Sequence, residues 1–562
     1  MVNPVLDAKK QLNEIILNAV GRAVADGRLP AEAMPPFCIE IPADAKNGDF
    51  ATNVAMASAR AFHMPPRKIA EEIQSGIVLE GTYFSRVEIA GPGFINFFLG
   101  QGWFTDVVKC VAERKDSYGR TNFGQGKRML VEFVSANPTG PMHIGNARGG
   151  ALGDGIASVL DWAGYHVERE FYVNDSGNQI NKFALSLEAR YLQLYQQGVT
   201  LPEDAYQGAD IVEHAQNFAA EYGDQYVQAS PKERREALVR FALPKNIQGL
   251  KDDLKKYRIE YNTWFLESSL HESGEVSKVI SLLKEKGCTY ESEGALWFKA
   301  TDFGADQDFV LVRQNGVPTY VVPDIAYHYN KLVTRGFDKA IDVLGADHHG
   351  YVPRLKAALQ ALSIDPSRLD AVLMQMVRLV REGEVIKASK RSGKAITLVT
   401  LLDEVPIDAA RFFFNLREAN SHFDFDLDLA VEESSQNPVY YVQYAHARIC
   451  SILKNLKAEG VLPKTAAECN LDRLSAPEEL ELIRHLAILP EEIMEAAKGY
   501  DPARITRYAT DLAMKFHKFY SACRVKGEDP ELVQARLCLC LAAGTALKNV
   551  LTILKITAPE TM

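Results

Sequence analysis

Apolar and polar positions change their spacing along this chain in a way that marks separate domains. Short apolar runs between turns fill the first hundred residues, strand-like and helix-like stretches alternate over 129–405, and later residues are almost wholly helical in pattern. We therefore predict a multidomain α/β protein with an N-terminal α/β domain over 1–114, a Rossmann-type parallel-sheet domain over 115–405 with a helical insertion at about 180–290, and an all-helical domain over 406–562.

The N-terminal pattern predicts a small α/β unit. A strand is expected at 37–41 and a helix at 51–61. The apolar runs 87–90 and 94–99 flank Gly91-Pro92-Gly93, which predicts a strand, a tight turn and a second strand.

The middle of the chain predicts a doubly wound sheet. Residues 129–134 form an apolar run apart from Glu132, as in a parallel strand buried on both faces. The helical stretch 144–163 contains glycines that allow close packing, and a strand over 168–173 completes a βαβ unit. Residues 179–286 are helical and charged, as expected of an insertion. Further strands are expected near 309–313, 339–344 and 371–378.

Composition excludes some classes of protein. The 562 residues are enough for about three to four domains, and 47% hydrophobic with 24% charged residues is ordinary for a globular protein. We expect no membrane-spanning helix, because Lys548 and Asn549 interrupt the apolar stretch 538–554, which predicts a buried helix. The N-terminal pattern is amphipathic and does not resemble a signal peptide.

Cysteines and net charge narrow the picture further. The eight cysteines form no C-x-x-C pair, so we expect no zinc site and reduced thiols, as in the cytoplasm. A formal net charge of −10 argues against indiscriminate nucleic-acid binding, but a local basic face remains compatible with RNA.

Residues 131–146 join an apolar strand to a helix through a turn rich in glycine and proline. The free N–H groups and the positive dipole end of such a helix form an anion site. His143 and Asn146 share one helix face, and Gly145 between them presents no side chain to obstruct a flat purine ring. The alternative is a purely structural turn in which His143 caps a neighbouring group.

Residues 387–394 carry four cations, two hydroxyls and a glycine. This composition suits a loop that closes over a polyphosphate, with lysine as a movable point charge. The alternative is a solvated basic loop without a ligand.

The two segments together resemble the HIGH and KMSKR motifs of class I aminoacyl-tRNA synthetases, in their order and in their positions after the first and last strands of the sheet. Asn146 stands where the motif has its second His, and Ala388 where the second motif has Met, whereas Lys387 and Lys390 are both present. Other stretches resemble arginyl-tRNA synthetase across nearly the whole chain: 132–138, 172–179, 345–350 and 558–562.

The resemblance implies ATP-dependent attachment of L-arginine to tRNA(Arg) through an arginyl-adenylate, with release of AMP and pyrophosphate. It implies a class I catalytic domain between an N-terminal domain that binds the tRNA elbow and a helical anticodon-binding domain. Mg²⁺ is expected on the ATP phosphates, activation is expected to need tRNA, and we expect a cytoplasmic monomer.

Arginine recognition needs carboxylates, because paired charge-assisted hydrogen bonds suit a guanidinium. Other roles are open for two of them: Glu132 could pair inside the sheet, and Asp324 could cap the helix that follows it. By resemblance, the arginine-binding residues are Glu132, Ser135, Asn137, His143, Tyr320, Asp324 and Asp347.

The resemblance also assigns residues to ATP and to catalysis. The expected catalytic residues are His143, Asn146, Lys387 and Lys390. The expected ATP-binding residues are Pro141, His143, Gly145, Asn146, Val377, Lys387, Ser389 and Lys390.

RNA contacts are expected where aromatic rings and cations mix, because rings stack on bases while cations follow phosphates. The alternatives are a helical core filled by the tyrosines and ordinary turns near the N-terminus. The expected tRNA-binding residues are Asn47, Asp49, Phe50, Phe94, Asn96, Tyr440, Tyr444, Arg448 and Arg524.

Two competing functions deserve comparison. A related synthetase for another amino acid, such as cysteine, is disfavoured by the missing C-x-x-C and zinc-ligand spacing. A catalytically silent tRNA-binding protein is disfavoured by His143, Lys387 and Lys390.

Overall fold

The computed structural model describes residues 3–203, 205–386 and 396–562. Its N-terminal part is an antiparallel sheet, in the order β1-β2-β4-β3, packed against helices. The predicted strand at 37–41 is shorter than expected, and the predicted helix at 51–61 is preceded by a strand that takes its first residues. The elements are α1 (Pro4–Ala25), β1 (Ile39–Glu40), β2 (Phe50–Thr52), α2 (Val54–Phe62), α3 (Pro66–Ser75), β3 (Phe84–Ala90), β4 (Phe94–Leu99) and α4 (Gln101–Arg114).

The middle part contains the predicted parallel sheet. The strands of this middle part, which belong to more than one sheet, are β5 (Arg128–Glu132), β6 (His166–Val173), β7 (Thr263–Leu266), β8 (Thr289–Ser292), β9 (Ala295–Phe298), β10 (Phe309–Val312), β11 (Lys339–Gly345), β12 (Leu369–Met374), β13 (Val377–Arg381) and β14 (Glu384–Val385). Its helices are α5 (Ile144–Trp162), α6 (Gly177–Gln193), α7 (Ala209–Tyr222), α8 (Pro231–Lys256), α9 (Glu267–Glu272), α10 (Glu275–Glu285), α11 (Val321–Tyr329) and α12 (Val352–Ala361).

The central sheet runs in the order β12-β11-β5-β6-β7, and all its pairs are parallel. Strand β7 corrects the predicted insertion at 180–290, because it pairs with β6 and so returns the chain to the sheet. Two further predictions need correction. The strand near 309–313 belongs to a separate antiparallel sheet with β9 and β8, and the stretch 371–378 is split between β12 and β13.

The C-terminal part is helical as predicted, except for one short strand that pairs with β13. Its last helix is long and apolar enough to cross a membrane by length and composition, yet 72% of that window is buried inside the protein, as in a core helix. The elements are α13 (Leu398–Glu404), α14 (Ile407–Phe414), β15 (Phe423–Asp426), α15 (Leu427–Val431), α16 (Pro438–Ala458), α17 (Pro477–Ala487), α18 (Leu489–Gly499), α19 (Ala503–Ala522) and α20 (Pro530–Ile553).

Glycines let helix α5 approach its neighbours closely. A Cβ at Gly153 would lie 2.2 Å from the ring of Phe133, and one at Gly155 would lie 3.1 Å from Pro502. The first contact leaves no room for a Cβ, and the second would require Pro502 to shift by a few tenths of an ångström. Helix α5 is therefore packed against both the central sheet and the C-terminal helices.

A buried ionic cluster fixes the same helix. Asp154 is fully buried and accepts from Arg169 at 2.8 Å, from Lys555 at 3.0 Å and from Arg411 at 2.5 Å. Burial by itself raises the pKa of Asp154, but the three cations outweigh it and lower the pKa to about 2. Arg411 also donates to the carbonyl of Leu554 at 2.8 Å, so the cluster ties α5 to β6, to α14 and to the end of the chain.

We predict that Asp154→Asn lowers stability by about 3–5 kcal/mol, because it leaves Arg411 buried without a counter-charge. The measurement is the thermal unfolding midpoint. Asp161→Asn is the matched control, since Asp161 lies on the same helix and its pair with Arg120 has a 48% exposed carboxylate. An exposed pair of this kind contributes at most about 1 kcal/mol, and equal shifts in the two variants would contradict the prediction.

Candidate active site

Backbone hydrogen bonds join the start of helix α5 to the described residues that follow the second motif in sequence. Ile144 N donates to Ile396 O at 3.2 Å, and Leu398 N donates to Met142 O at 3.0 Å. The predicted residues Lys387, Ser389 and Lys390 lie outside the described residues. The chain that follows them nevertheless pairs directly with the start of helix α5.

The start of α5 presents an exposed helix N-terminus. His143 occupies the N-cap position, and its N–H donates to the Asn146 side-chain oxygen at 3.0 Å. Pro141, His143 and Gly145 are exposed, and a Cβ built at Gly145 meets nothing within 4 Å. Because the side-chain oxygen of Asn146 accepts this hydrogen bond, its amide nitrogen is left to donate to a ligand.

The turn after β5 has an unusual backbone. Val134 has φ 70° and Ser135 has φ 41°, a conformation that β-branched residues rarely adopt. Ser135 Oγ donates to Glu132 Oε1 at 2.9 Å and accepts from Tyr172 N at 3.1 Å. These bonds hold the strained turn that leads to the exposed Asn137.

A cavity of about 190 Å³ lies at the carboxyl ends of β5 and β11. This is where ligands bind in parallel α/β sheets. Three predicted arginine-binding residues line it, namely Glu132, Ser135 and Asp324. Its other lining residues include Tyr172, Tyr327, His328, Asp342, His348 and Tyr351.

Asp324 is a carboxyl group of this cavity whose pKa is raised. Burial raises its pKa to about 6, with smaller upward contributions from the charges of Glu132 and Glu267. A hydrogen bond from Tyr351 and the charge of His328 act in the opposite direction. A buried carboxylate of this kind gains from a cationic ligand, which would satisfy its charge.

Tyr320 and Asp347 are also predicted to bind arginine, but neither lines the cavity. Tyr320 is 68% exposed, and its ring stacks on the cavity residue Tyr351 with centroids 5.8 Å apart. The structure places Asp347 outside the cavity lining, with its side chain 84% exposed and in contact with His348 at 3.2 Å. Residues 346–348 form a tight helical turn that directs neighbouring side chains apart, so that His348 reaches the cavity instead.

Glu267 is a charged residue near the cavity that is not predicted from the sequence. This residue begins α9 directly after β7, and its charge acts on Tyr172 and Asp324. The signal was its position at the end of a parallel strand. The sequence does not reveal this signal, because β7 lies within the stretch that is predicted to be a helical insertion.

Helix α5 also forms hydrogen bonds to the chain just before Val377, the residue predicted to lie beside adenine. Arg148 is only 1% exposed and donates to the carbonyl of Gln375 at 2.7 Å and to that of Ser421 at 3.1 Å. Burial lowers its pKa to about 10. The half-buried Val377 therefore follows a segment that is pinned to α5.

The C-terminal helices carry an exposed aromatic and cationic surface. Tyr440 and Tyr444 stack with interplanar angle 7°, and Arg448 lies over the rings of Tyr444 at 4.7 Å and Tyr520 at 5.2 Å. Tyr444 is 36% exposed, so the expected alternative of a fully buried tyrosine core does not describe it. Arg524 is also exposed.

Predictions for the N-terminal RNA contacts need correction at two residues. Phe50 is 2% exposed and Asn96 is 4% exposed, because both lie on paired strands with their side chains in the interior. Asp49 accepts from Arg484 at 2.5 Å and thus links the N-terminal and C-terminal parts. Asn47 is exposed and Phe94 is half-buried.

Comparisons with known proteins cover the whole chain. The family model described as "tRNA synthetases class I (R), catalytic domain" matches residues 108–449. Residues 10–99 match "Arginyl tRNA synthetase N terminal domain", and residues 442–562 match "DALR anticodon binding domain".

Two curated relatives are named "Arginine--tRNA ligase". The protein from Caldanaerobacter subterraneus subsp. tengcongensis is 55% identical and that from Acetivibrio thermocellus 52% identical, each with 100% of both chains covered. The solved Thermus thermophilus arginyl-tRNA synthetase is similar with TM-score 0.74 at 22% identity over 97% of this chain and 99% of that one, which indicates a shared fold.

We predict that Gly145→Ala raises the KM for ATP about tenfold. A methyl group on this open face would weaken the binding of a purine ring by about 1.4 kcal/mol. The unfolding midpoint should not fall, since the added Cβ meets nothing within 4 Å. Gly153→Ala is the contrasting variant, because its Cβ would collide with Phe133 and lower the midpoint. An unchanged KM for ATP in Gly145→Ala would remove this face from the ATP site.

Proposed function

Because this chain belongs to the arginyl-tRNA synthetase family, whose members join arginine to tRNA through an adenylate, we propose that the cavity beside helix α5 binds the arginine side chain. The observation that carries the assignment is Asp324, a half-buried carboxyl group that lines a cavity at the carboxyl edge of the sheet and whose pKa is raised by desolvation. The family's reaction accounts for the other features of the site. Arginine, ATP and tRNA are its substrates.

The guanidinium is proposed to meet Asp324, with Glu267 as a second nearby negative charge. Tyr320 is proposed to cover the bound side chain, supported by its stacking on Tyr351. Asn137 and His143 are proposed to hold the amino and carboxylate groups. A lysine ammonium is a compact point charge and lacks the planar fork that a carboxylate can pair with at two points.

ATP is proposed to lie across the start of α5. Pro141, Gly145 and Val377 would flank the base, while His143 and Asn146 would donate to the phosphates together with Lys387, Ser389 and Lys390. The described residues contain no group of three or more His, Cys, Asp or Glu side chains able to hold a metal ion. Mg²⁺ is therefore proposed to be held by the phosphates and water, where it would neutralise phosphate charge.

In the proposed mechanism, the arginine carboxylate attacks the α-phosphorus in line and pyrophosphate leaves. No protein nucleophile is needed, so the chain contributes position and charge. The helix N-terminus and the donors at 143 and 146 face the charge that develops on the phosphates. In the second step the terminal ribose hydroxyl of tRNA attacks the adenylate carbonyl and AMP leaves.

The C-terminal surface of Tyr440, Tyr444, Arg448 and Arg524 is proposed to contact the anticodon region of tRNA. Exposed stacked rings next to a cation support it. Asn47 and Phe94 remain proposed contacts for the tRNA elbow. We also propose a monomer and a cytoplasmic location, the latter supported by eight free cysteines.

We predict that Asp324→Asn lowers kcat/KM for arginine about 100- to 1000-fold in ATP–pyrophosphate exchange with tRNA present, because the guanidinium loses a desolvated charge partner. The KM for ATP should stay within about twofold of wild type, since the change is confined to the amino-acid cavity. Asp347→Asn is the matched control and should change kcat/KM less than about threefold, because that carboxylate is 84% exposed. Similar losses in both variants would refute the assignment of the cavity.

The same substitution should also change stability in a pH-dependent way. The folded pKa of Asp324 is about 6, above the ordinary 3.8, so its contribution to stability is fully present below pH 3.8 and is lost as the pH rises through 6. Above pH 6 the wild type must bury an ionised carboxylate, and Asp324→Asn need not. The variant should therefore unfold at a higher temperature than wild type at pH 8, with the difference shrinking toward pH 4.

We predict that Tyr444→Ala raises the KM for tRNA about tenfold, because stacking on a base contributes about 1–3 kcal/mol. The KM values for arginine and ATP should not change. Tyr195→Ala is the matched control, since Tyr195 is 42% exposed in the helical insertion and has no proposed contact. An unaltered KM for tRNA in Tyr444→Ala would exclude this surface.

A further inference from the structure

A lysine lies buried behind the arginine cavity. Lys331 is fully buried within a π-helical turn, Asn330–Thr334, that continues helix α11. Its ammonium contacts Glu132 Oε2 at 2.5 Å and Asp342 Oδ1 at 2.9 Å, and it lies 4.0 Å from the ring centroid of Tyr327. Single π-helical turns inside α-helices occur frequently at functional sites.

The two carboxylates that Lys331 joins come from neighbouring strands and both line the cavity. Glu132 ends β5, and Asp342 lies on β11. The second oxygen of Glu132 accepts from Ser135, and the second oxygen of Asp342 contacts His328 Nε2 at 2.7 Å. Lys331 is therefore connected through Glu132 to the strained turn before Asn137.

Lys331 is the ammonium group that faces both carboxylates of this group. Burial lowers the pKa of Lys331, but Asp342 and Glu132 outweigh burial and raise it, so the ammonium stays charged. One positive charge then faces two negative charges. Asp324 stands apart from this group, with its own hydrogen bond from Tyr351.

We propose that Lys331 is a positioning residue for arginine: it turns Glu132 toward Ser135, holds the turn that aims Asn137, and leaves Asp324 to meet the guanidinium. The proposal rests on the proposed arginine cavity. Lys331 itself lies behind the cavity wall and acts through Glu132.

The charged groups around Asp324 determine how pH affects the site. His328 lies on its own helix, and Glu132 and Glu267 act on it from β5 and α9. Tyr351 donates to it from the start of α12. Other titratable groups that line the cavity are Asp342, His348, Tyr172 and Tyr327, and Glu170 and Arg335 form an ion pair next to Tyr327.

We expect Lys331→Met to raise the KM for arginine at least tenfold while the KM for ATP stays within twofold. The acid limb of kcat/KM for arginine should also move to higher pH, because Glu132 without its cation favours protonation of the neighbouring carboxyl groups. A general loss of folding would not shift this limb. Unchanged arginine kinetics and an unchanged pH profile would overturn the proposal.

Lys339→Met is the matched control, because Lys339 pairs with Asp370 at 2.6 Å on the same strand as Asp342 and is partly exposed. Its arginine kinetics and pH profile should match wild type. An equal rise in the KM for arginine there would overturn a specific role for Lys331.

A double variant separates position from net charge and guards against misfolding. Lys331→Met with Asp342→Asn keeps the wild-type net charge of the group, but Glu132 is no longer held. Its KM for arginine should remain raised, and a return to the wild-type KM would overturn the positioning role. If Asp324→Asn loses arginine while Lys331→Met does not, the cavity assignment stands and this inference fails.

Discussion

The close packing of helix α5 is the constraint on which the rest of the site depends. The helix begins at His143, touches the central sheet at Gly153 and is held at Asp154 by three cations from β6, α14 and the end of the chain. Its N-terminus can present an anion site only because its middle is fixed this firmly. One helix thus gives the nucleotide face its position relative to the amino-acid cavity and to the C-terminal helices.

Several of these features could be predicted from the sequence because their signals are local. The apolar run before the first motif, the glycines of α5 and the turn at 138–141 lie within about thirty residues of each other. The motif residues at 143–146 could be predicted for the same reason. The carboxylate at 324 was found only through resemblance, because nothing nearby in the sequence distinguishes it from a helix cap.

The rest could not be predicted because it depends on contacts between distant residues. Strand β7 has only four residues, and its partner β6 lies about ninety residues earlier. Lys331 has the sequence signature of a surface cation, yet it is buried against carboxylates of two neighbouring strands. Phe50 and Asn96 were assigned to RNA from turn-like surroundings, but pairing of β2 with β4 turns them inward.

The raised pKa of Asp324 has a consequence for how the amino acid is captured. A guanidinium requires the carboxylate form, whereas in mildly acidic solution much of the unliganded protein carries a proton there. Binding must then expel that proton into the buffer, so the measured enthalpy of association acquires a contribution from the buffer's own heat of ionisation. Affinity for the amino acid is in this way coupled to the acidity of the medium through a single side chain.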